Sequence, residues 1–160
     1  MVEFGNTQAP AFTAVGALLD LSDEYEALGG DDLLPGFVEA GSYDGAFYAP
    51  PLYSGARVVF ADPALVTEPP ATLDDYIASA TALAEANPGK SGIYFAGQDW
   101  YNALPFIWEN GGEIAVESGG EWDAQLSSDE SVAGLLQVQE LMTTASGAPK
   151  DGDNAEPWTP

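Results

Sequence analysis

Apolar positions along this chain switch between a spacing near two and a spacing near 3.6, as expected where short strands and helices alternate. Val2-Glu3-Phe4 alternates like a strand and runs into Gly5-Asn6-Thr7-Gln8, a turn presenting amides and a hydroxyl. The Ala-rich segment from Pro10 to Leu19 reads as a short helix, with the proline near the first turn, where a missing N–H costs nothing. Ser22-Asp23-Glu24 is an N-cap pattern for a helix to about Leu28, and Gly29-Gly30 breaks it. Asp31-Asp32 opens a further helical piece carrying Leu33, Leu34, Phe37 and Val38, ended by Gly41. Asp44-Gly45, between the alternating aromatic flanks of Ser42 to Pro50, predicts a hairpin.

The second half repeats the alternation. Arg57 leads into the apolar run Val58-Val59-Phe60, which reads as a strand, and Glu68-Pro69-Pro70 is a rigid connector. Thr72, with Asp75 three residues on, caps a helix whose inner face is Leu73, Tyr76, Ile77, Ala80, Leu83 and Ala84. Gly92 to Phe95 reads as a short buried strand that breaks at Ala96-Gly97. It delivers Gln98, Asp99, Trp100, Tyr101 and Asn102 to the mouth of a helix, whose apolar run Leu104, Phe106, Ile107, Trp108 stops at Asn110-Gly111-Gly112. Glu113 to Val116 reads as a strand, and Trp122 and Leu126 flank a second extended piece. Ser128 opens the last helix, with Val132, Leu135, Leu136, Gln139 and Met142 as the expected inner face. Strands alternating with helices in this order predict an α/β architecture.

The cluster at Asp99 to Tyr101 is the candidate chemistry. Aromatic faces stack on the C–H faces of sugar rings, while acid and amide groups take the hydroxyls. The competing reading is that Trp100 and Tyr101 only pack. Charge narrows the ligand: 26 acidic residues against 3 basic ones give a net charge of −23, which repels nucleic-acid phosphates and suits a neutral or cationic small solute. A lone Arg57 beside Gly55-Ala56 in so acidic a chain either neutralises a buried carboxylate or binds a ligand oxygen. The absence of Cys and His removes thiol nucleophiles, disulfides, serine triads built on His and zinc sites with N/S ligands. What chemistry is left is carboxylate chemistry. A paired-acid glycoside hydrolase would use Asp99 and Glu109. Asp151-Gly152-Asp153-Asn154 lacks the spacing of a calcium loop and reads as a solvated tail. At 160 residues with 46% hydrophobic content the chain fits one ordinary domain, and no apolar run is long enough to span a bilayer.

Taken in order, the turn at Gly5-Asn6-Thr7-Gln8, the hairpin Tyr43 to Pro50, the run Gly55 to Phe60, the segment Pro69 to Asp75 and the stretch Gly92 to Gly112 resemble the family 1 extracellular solute-binding proteins, the sugar-binding subunits of ABC importers. The resemblance implies a periplasmic-binding-protein-like (class II) fold of two α/β lobes, incomplete in this chain, with ligand in the cleft between them. Residues 1–55 would form part of the first lobe, 56–146 part of the second, and 147–160 a loop or disordered tail. Carried over by position, Asn6, Thr7 and Gln8 fall on a first-lobe loop that reaches the sugar. Tyr53, Ser54 and Arg57 fall at the crossing between lobes, and Asp99, Trp100 and Tyr101 on the second-lobe loop. The implied partners are a neutral sugar or oligosaccharide and the membrane permease, with no cofactor, no catalytic residue and no nucleic acid. An extracytoplasmic place is implied, as a periplasmic protein or surface lipoprotein. Family members are longer at both ends and start with a signal, so this chain resembles an internal piece, expected to bind sugar weakly or not at all by itself.

Overall fold

A computed structural model describes residues 1–152 and divides the chain into two compact units, Met1–Ala56 and a second from Arg57 onward. In the first unit, helix α1 (Ala9–Ala14) follows a turn over residues 6–8. Three single turns of 3-10 helix (Ser22–Glu24, Glu26–Leu28, Gly30–Asp32) stand where the sequence predicts a short helix to about Leu28 and the start of a second at Asp31-Asp32. The physical reason is local. Ser22 donates its hydroxyl to Asp20 instead of capping, and Gly29 and Gly30 take positive φ. Helix α2 (Pro35–Ala40) then leads into strands β1 (Ser42–Tyr43) and β2 (Ala46–Phe47). The hairpin turns at Asp44 (φ 48°) and Gly45 (φ 79°), the left-handed pair that a two-residue loop needs. Its small core centres on buried Phe47, which meets the edge of Tyr25 at 5.2 Å between ring centroids. Residues 2–4 form no strand.

The second unit holds helices α3 (Leu73–Ala86), α4 (Trp100–Glu109) and α5 (Asp129–Thr144) and the hairpin of β3 (Ala115–Ser118) and β4 (Glu121–Ala124). Thr72 caps α3 and Ser128 caps α5, each hydroxyl accepting the N–H three residues on. The core joins Ile77, Ala80, Phe95, Phe106, Val138, Leu141 and Ala145. Two expected strands are absent. Val58-Val59-Phe60 lies exposed without a partner, and Gly92 to Phe95 forms a single parallel bridge, Ile93 to Ser146. Beside that bridge the Ser146 hydroxyl accepts from Phe95 N (3.1 Å) and donates to Phe95 O (2.8 Å), so one side chain replaces a neighbouring strand.

The inner face of α5 also differs from the expected one. Ser131, Gly134, Val138 and Leu141 are buried, while Val132, Leu135, Leu136 and Gln139 face out. A Cβ on Gly134 would lie 2.7 Å from Ile107 Cα and closer still to Phe106 O. The bare glycine is what lets α5 rest on the α4 backbone. Burial among α3 and α4 raises the Tyr76 hydroxyl above its ordinary value of 10.0. The unfolded chain therefore loses that proton first, and stability present below about pH 10 falls as pH rises through the folded value. Urea midpoints measured from about pH 8 to about pH 11 should show this alkaline loss, and Tyr76→Phe should remove its share of it.

Candidate functional site

Asp99 is the only buried acid among the described residues, at 9% exposure, and it stands at the N-cap of α4. The loop that presents it is tied down by backbone bonds to the turn after α5: Gly97 N donates to Pro149 O (3.0 Å) and Gln98 N to Gly152 O (2.9 Å). A side chain at Gly97 would run into the Lys150 backbone, so only glycine permits this approach. Lys150 itself is spent on the carbonyls of Met142 and Ser146, where a cation suits the negative end of α5. With its loop fixed, the Asp99 carboxylate is held from both sides. Asn102 donates from Nδ2 to Oδ2 at 2.8 Å, and Arg57 approaches Oδ1 at 3.5 Å.

The two aromatics open α4. Trp100 and Tyr101 stack on each other at 3.7 Å between centroids and 26° between planes, 49% and 43% exposed. The Arg57 guanidinium carbon lies 5.6 Å from the Tyr101 centroid, within the range of a cation–π contact. Since each ring covers one face of the other, the pair offers a ligand its outer faces only. Pro105 lies inside α4 and has no N–H for the Tyr101 carbonyl one turn back. That oxygen therefore lacks its ordinary helical donor. The arrangement combines an aromatic pair, a carboxylate with a donor already on each oxygen, and a carbonyl that lacks its helical donor. Groups of these kinds are chemically suited to hydroxyls and C–H faces.

The remaining sequence-predicted residues belong to the first unit. Asn6 and Thr7 are exposed on the turn before α1, and Gln8 folds its side chain back to accept from Gly5 N (3.1 Å). Tyr53 and Ser54 are exposed in the first unit on a stretch without regular structure. The structure therefore brings Arg57, Asp99, Trp100 and Tyr101 together. It adds Asn102, whose signal in the sequence was its place one helical turn beyond Asp99. Of Arg57's two open roles, neutralising a buried carboxylate is the one its geometry fills.

Glu109 closes α4 ten residues after Asp99 and is exposed. At about 1.5 Å of rise per residue the two acids are roughly 15 Å apart, well beyond the roughly 5–9.5 Å of paired glycosidase carboxylates. Two shallow hollows have other linings, one in each unit. That in the first, of about 380 Å³, is lined by Ser22, Tyr25 and Phe47 among others. That in the second, of about 360 Å³, lies along the outer side of α5 at Leu135 and Met142. Neither holds a titratable group poised for chemistry, and the exposed rings with their clamped acid are the better candidate. Among the described residues no helix is long and apolar enough to cross a membrane, and no three acidic side chains gather as a metal cluster would. The tail residues 153–160, including part of the Asp151 to Asn154 run, lie outside the described residues.

Residues 1–156 match the family model described as bacterial extracellular solute-binding protein. The diacetylchitobiose binding protein DasA of Streptomyces coelicolor is 33% identical over 161 residues, covering 97% of this chain and 37% of that protein. Among solved structures, the GacH receptor of Streptomyces glaucescens, studied unliganded and with acarbose, matches with a TM-score of 0.67 at 21% identity. That match covers 96% of this chain and 39% of the receptor. The fold is thus the periplasmic-binding-protein-like α/β fold, of which the chain spans well under half the length of these relatives.

Proposed function

Because the chain belongs to the bacterial extracellular solute-binding proteins, we propose that it is part of the substrate-binding component of an ABC importer, one that captures a neutral sugar or oligosaccharide and passes it to the permease. The observation that carries this reading is the stacked Trp100–Tyr101 pair, exposed beside a buried acid whose charge Arg57 and Asn102 already hold. Trp100 and Tyr101 would take the sugar ring by stacking, Asp99 and the Tyr101 carbonyl its hydroxyls. Asn6, Thr7, Gln8, Tyr53 and Ser54 are the ligand groups we assign to the first unit, and Arg57 acts mainly on Asp99. Residues 1–55 and 56–146 would belong to the two lobes of the full receptor, which works outside the cytoplasm. No bond is made or broken. Binding would shift an equilibrium toward the state that holds the sugar more tightly.

DasA is described as binding diacetylchitobiose, and GacH was studied with acarbose, so these are the first probes. Calorimetric titration of the full-length protein should show saturable binding of at least one. Trp100→Ala should then weaken it by about 1–3 kcal/mol, the range for removing a large ring from a contact. Unchanged affinity would put the site elsewhere. Incubation with aryl glycosides should release no chromophore, whereas steady release would restore a hydrolase.

A further inference from the structure

We infer that Arg57 and Asn102 form a charge filter on Asp99, a positioning device that makes the sugar site select uncharged over amino-bearing sugars; this rests on the reading above. The chain as a whole attracts cations, with 26 acids and 3 bases. Discrimination against a cationic sugar must therefore be local. Of the 3 basic residues one is placed at the only buried carboxylate among the described residues, 42 positions away in sequence. Half of the Arg57 side chain remains in solvent at 53% exposure, so the ion pair adds little to folding stability. Its consequence is for charge. With a guanidinium on Oδ1 and a carboxamide on Oδ2, the local charge sums to zero while each oxygen keeps a lone pair for a ligand hydroxyl.

Asn102 sets the orientation of the acid. Its Nδ2 bond at 2.8 Å holds the carboxylate plane from within the first turn of α4, and its own N–H bonds Asp99 O at 3.1 Å. The Arg57 guanidinium is placed in turn by the Tyr101 ring, so the charge filter and the stacking platform share a residue. Without Arg57 the same buried carboxylate would keep only the uncharged Asn102 amide and no countercharge. An ammonium group is then its best partner.

The test compares di-N-acetylchitobiose with its deacetylated form at a mildly acid pH, two probes that differ in charge but not in ring or linkage. The full-length protein should bind the acetylated probe at least about tenfold more tightly, because an ammonium group loses hydration on entering the site and the neutralised acid does not return that cost. Arg57→Gln should erase or reverse that ratio, and Asn102→Asp, which adds a second carboxylate beside the first, should move it the same way. Arg57→Lys, keeping the charge but not the planar fork, should weaken both probes while preserving most of the ratio. Circular dichroism of each variant should be unaltered, as Arg57 is exposed. Binding of the acetylated probe with a ratio that ignores Arg57→Gln would overturn the filter and leave the sugar reading standing. Binding of neither probe would overturn both.

Discussion

Replacing Leu141 with Ala should destabilise the second unit by about 2–5 kcal/mol, whereas the same truncation at Leu136 should cost less than about 0.5 kcal/mol. Leu141 is 0% exposed and touches the ring and aliphatic core shared by α3, α4 and α5, while Leu136 is 57% exposed. Removing buried methyl groups forfeits their transfer energy and leaves a cavity that the neighbours fill only in part. At a position already in water neither term applies. All four tryptophans follow Arg57 in the sequence, so urea unfolding followed by tryptophan fluorescence reports on this unit. The ranking matters because hydropathy alone selects the opposite one: Leu135 and Leu136 look like core and Gly134 like a weak point. The reverse result, with Leu136 costly and Leu141 cheap, would turn α5 by nearly half a turn about its axis.

The α5 example shows which features a sequence of this kind makes legible. Caps and tight turns are local, and Thr72, Ser128 and the Asp44-Gly45 pair act on backbone groups within three residues. They stand where the pattern put them. The inner face of α3 was equally readable, because its large apolar residues are the ones that meet the core. In α5 the close contact with α4 needs the smallest residue, and no hydropathy scale rewards that. Strands were the least legible elements. A run such as Val58-Val59-Phe60 has strand propensity, but a strand exists only with a hydrogen-bonded neighbour, and Phe95 takes its bonds from a serine hydroxyl instead. For the candidate site, Asp99, Trp100 and Tyr101 were visible as a contiguous polar-aromatic cluster. Arg57 stood out through the scarcity of cations, although its partner 42 residues away did not. Asn102 was legible as a member of that cluster, but its bond to Asp99 appears only once α4 places it back against the acid.

Phe106→Ala should have the largest effect of any single truncation here, about 3–5 kcal/mol of stability. Phe106 is 4% exposed and joins the core to the site from underneath. Its ring meets the edge of Phe95 at 6.3 Å and 77° and lies 6.5 Å from Tyr76. Phe95 precedes Asp99 by four residues, and Phe106 follows Tyr101 on the same helix. One aromatic contact thus pins both ends of the loop and helix turn that carry the acid and the stacking pair. For a unit of roughly 100 residues, a loss of this size lowers the melting temperature by more than about 10 °C. Sugar affinity should fall with it even at temperatures where the unit stays folded, because a site held loosely loses the geometry that binding uses. Phe106→Leu keeps most of the buried volume and should recover most of both losses. The two readouts separate the core's role from the site's. A melting temperature that drops while affinity holds would mean that the backbone ties from Gly97 and Gln98 to the turn after α5 suffice to keep Asp99 in place. Loss of both, restored together by leucine, would make the Phe95–Phe106 contact the support on which the ligand face stands.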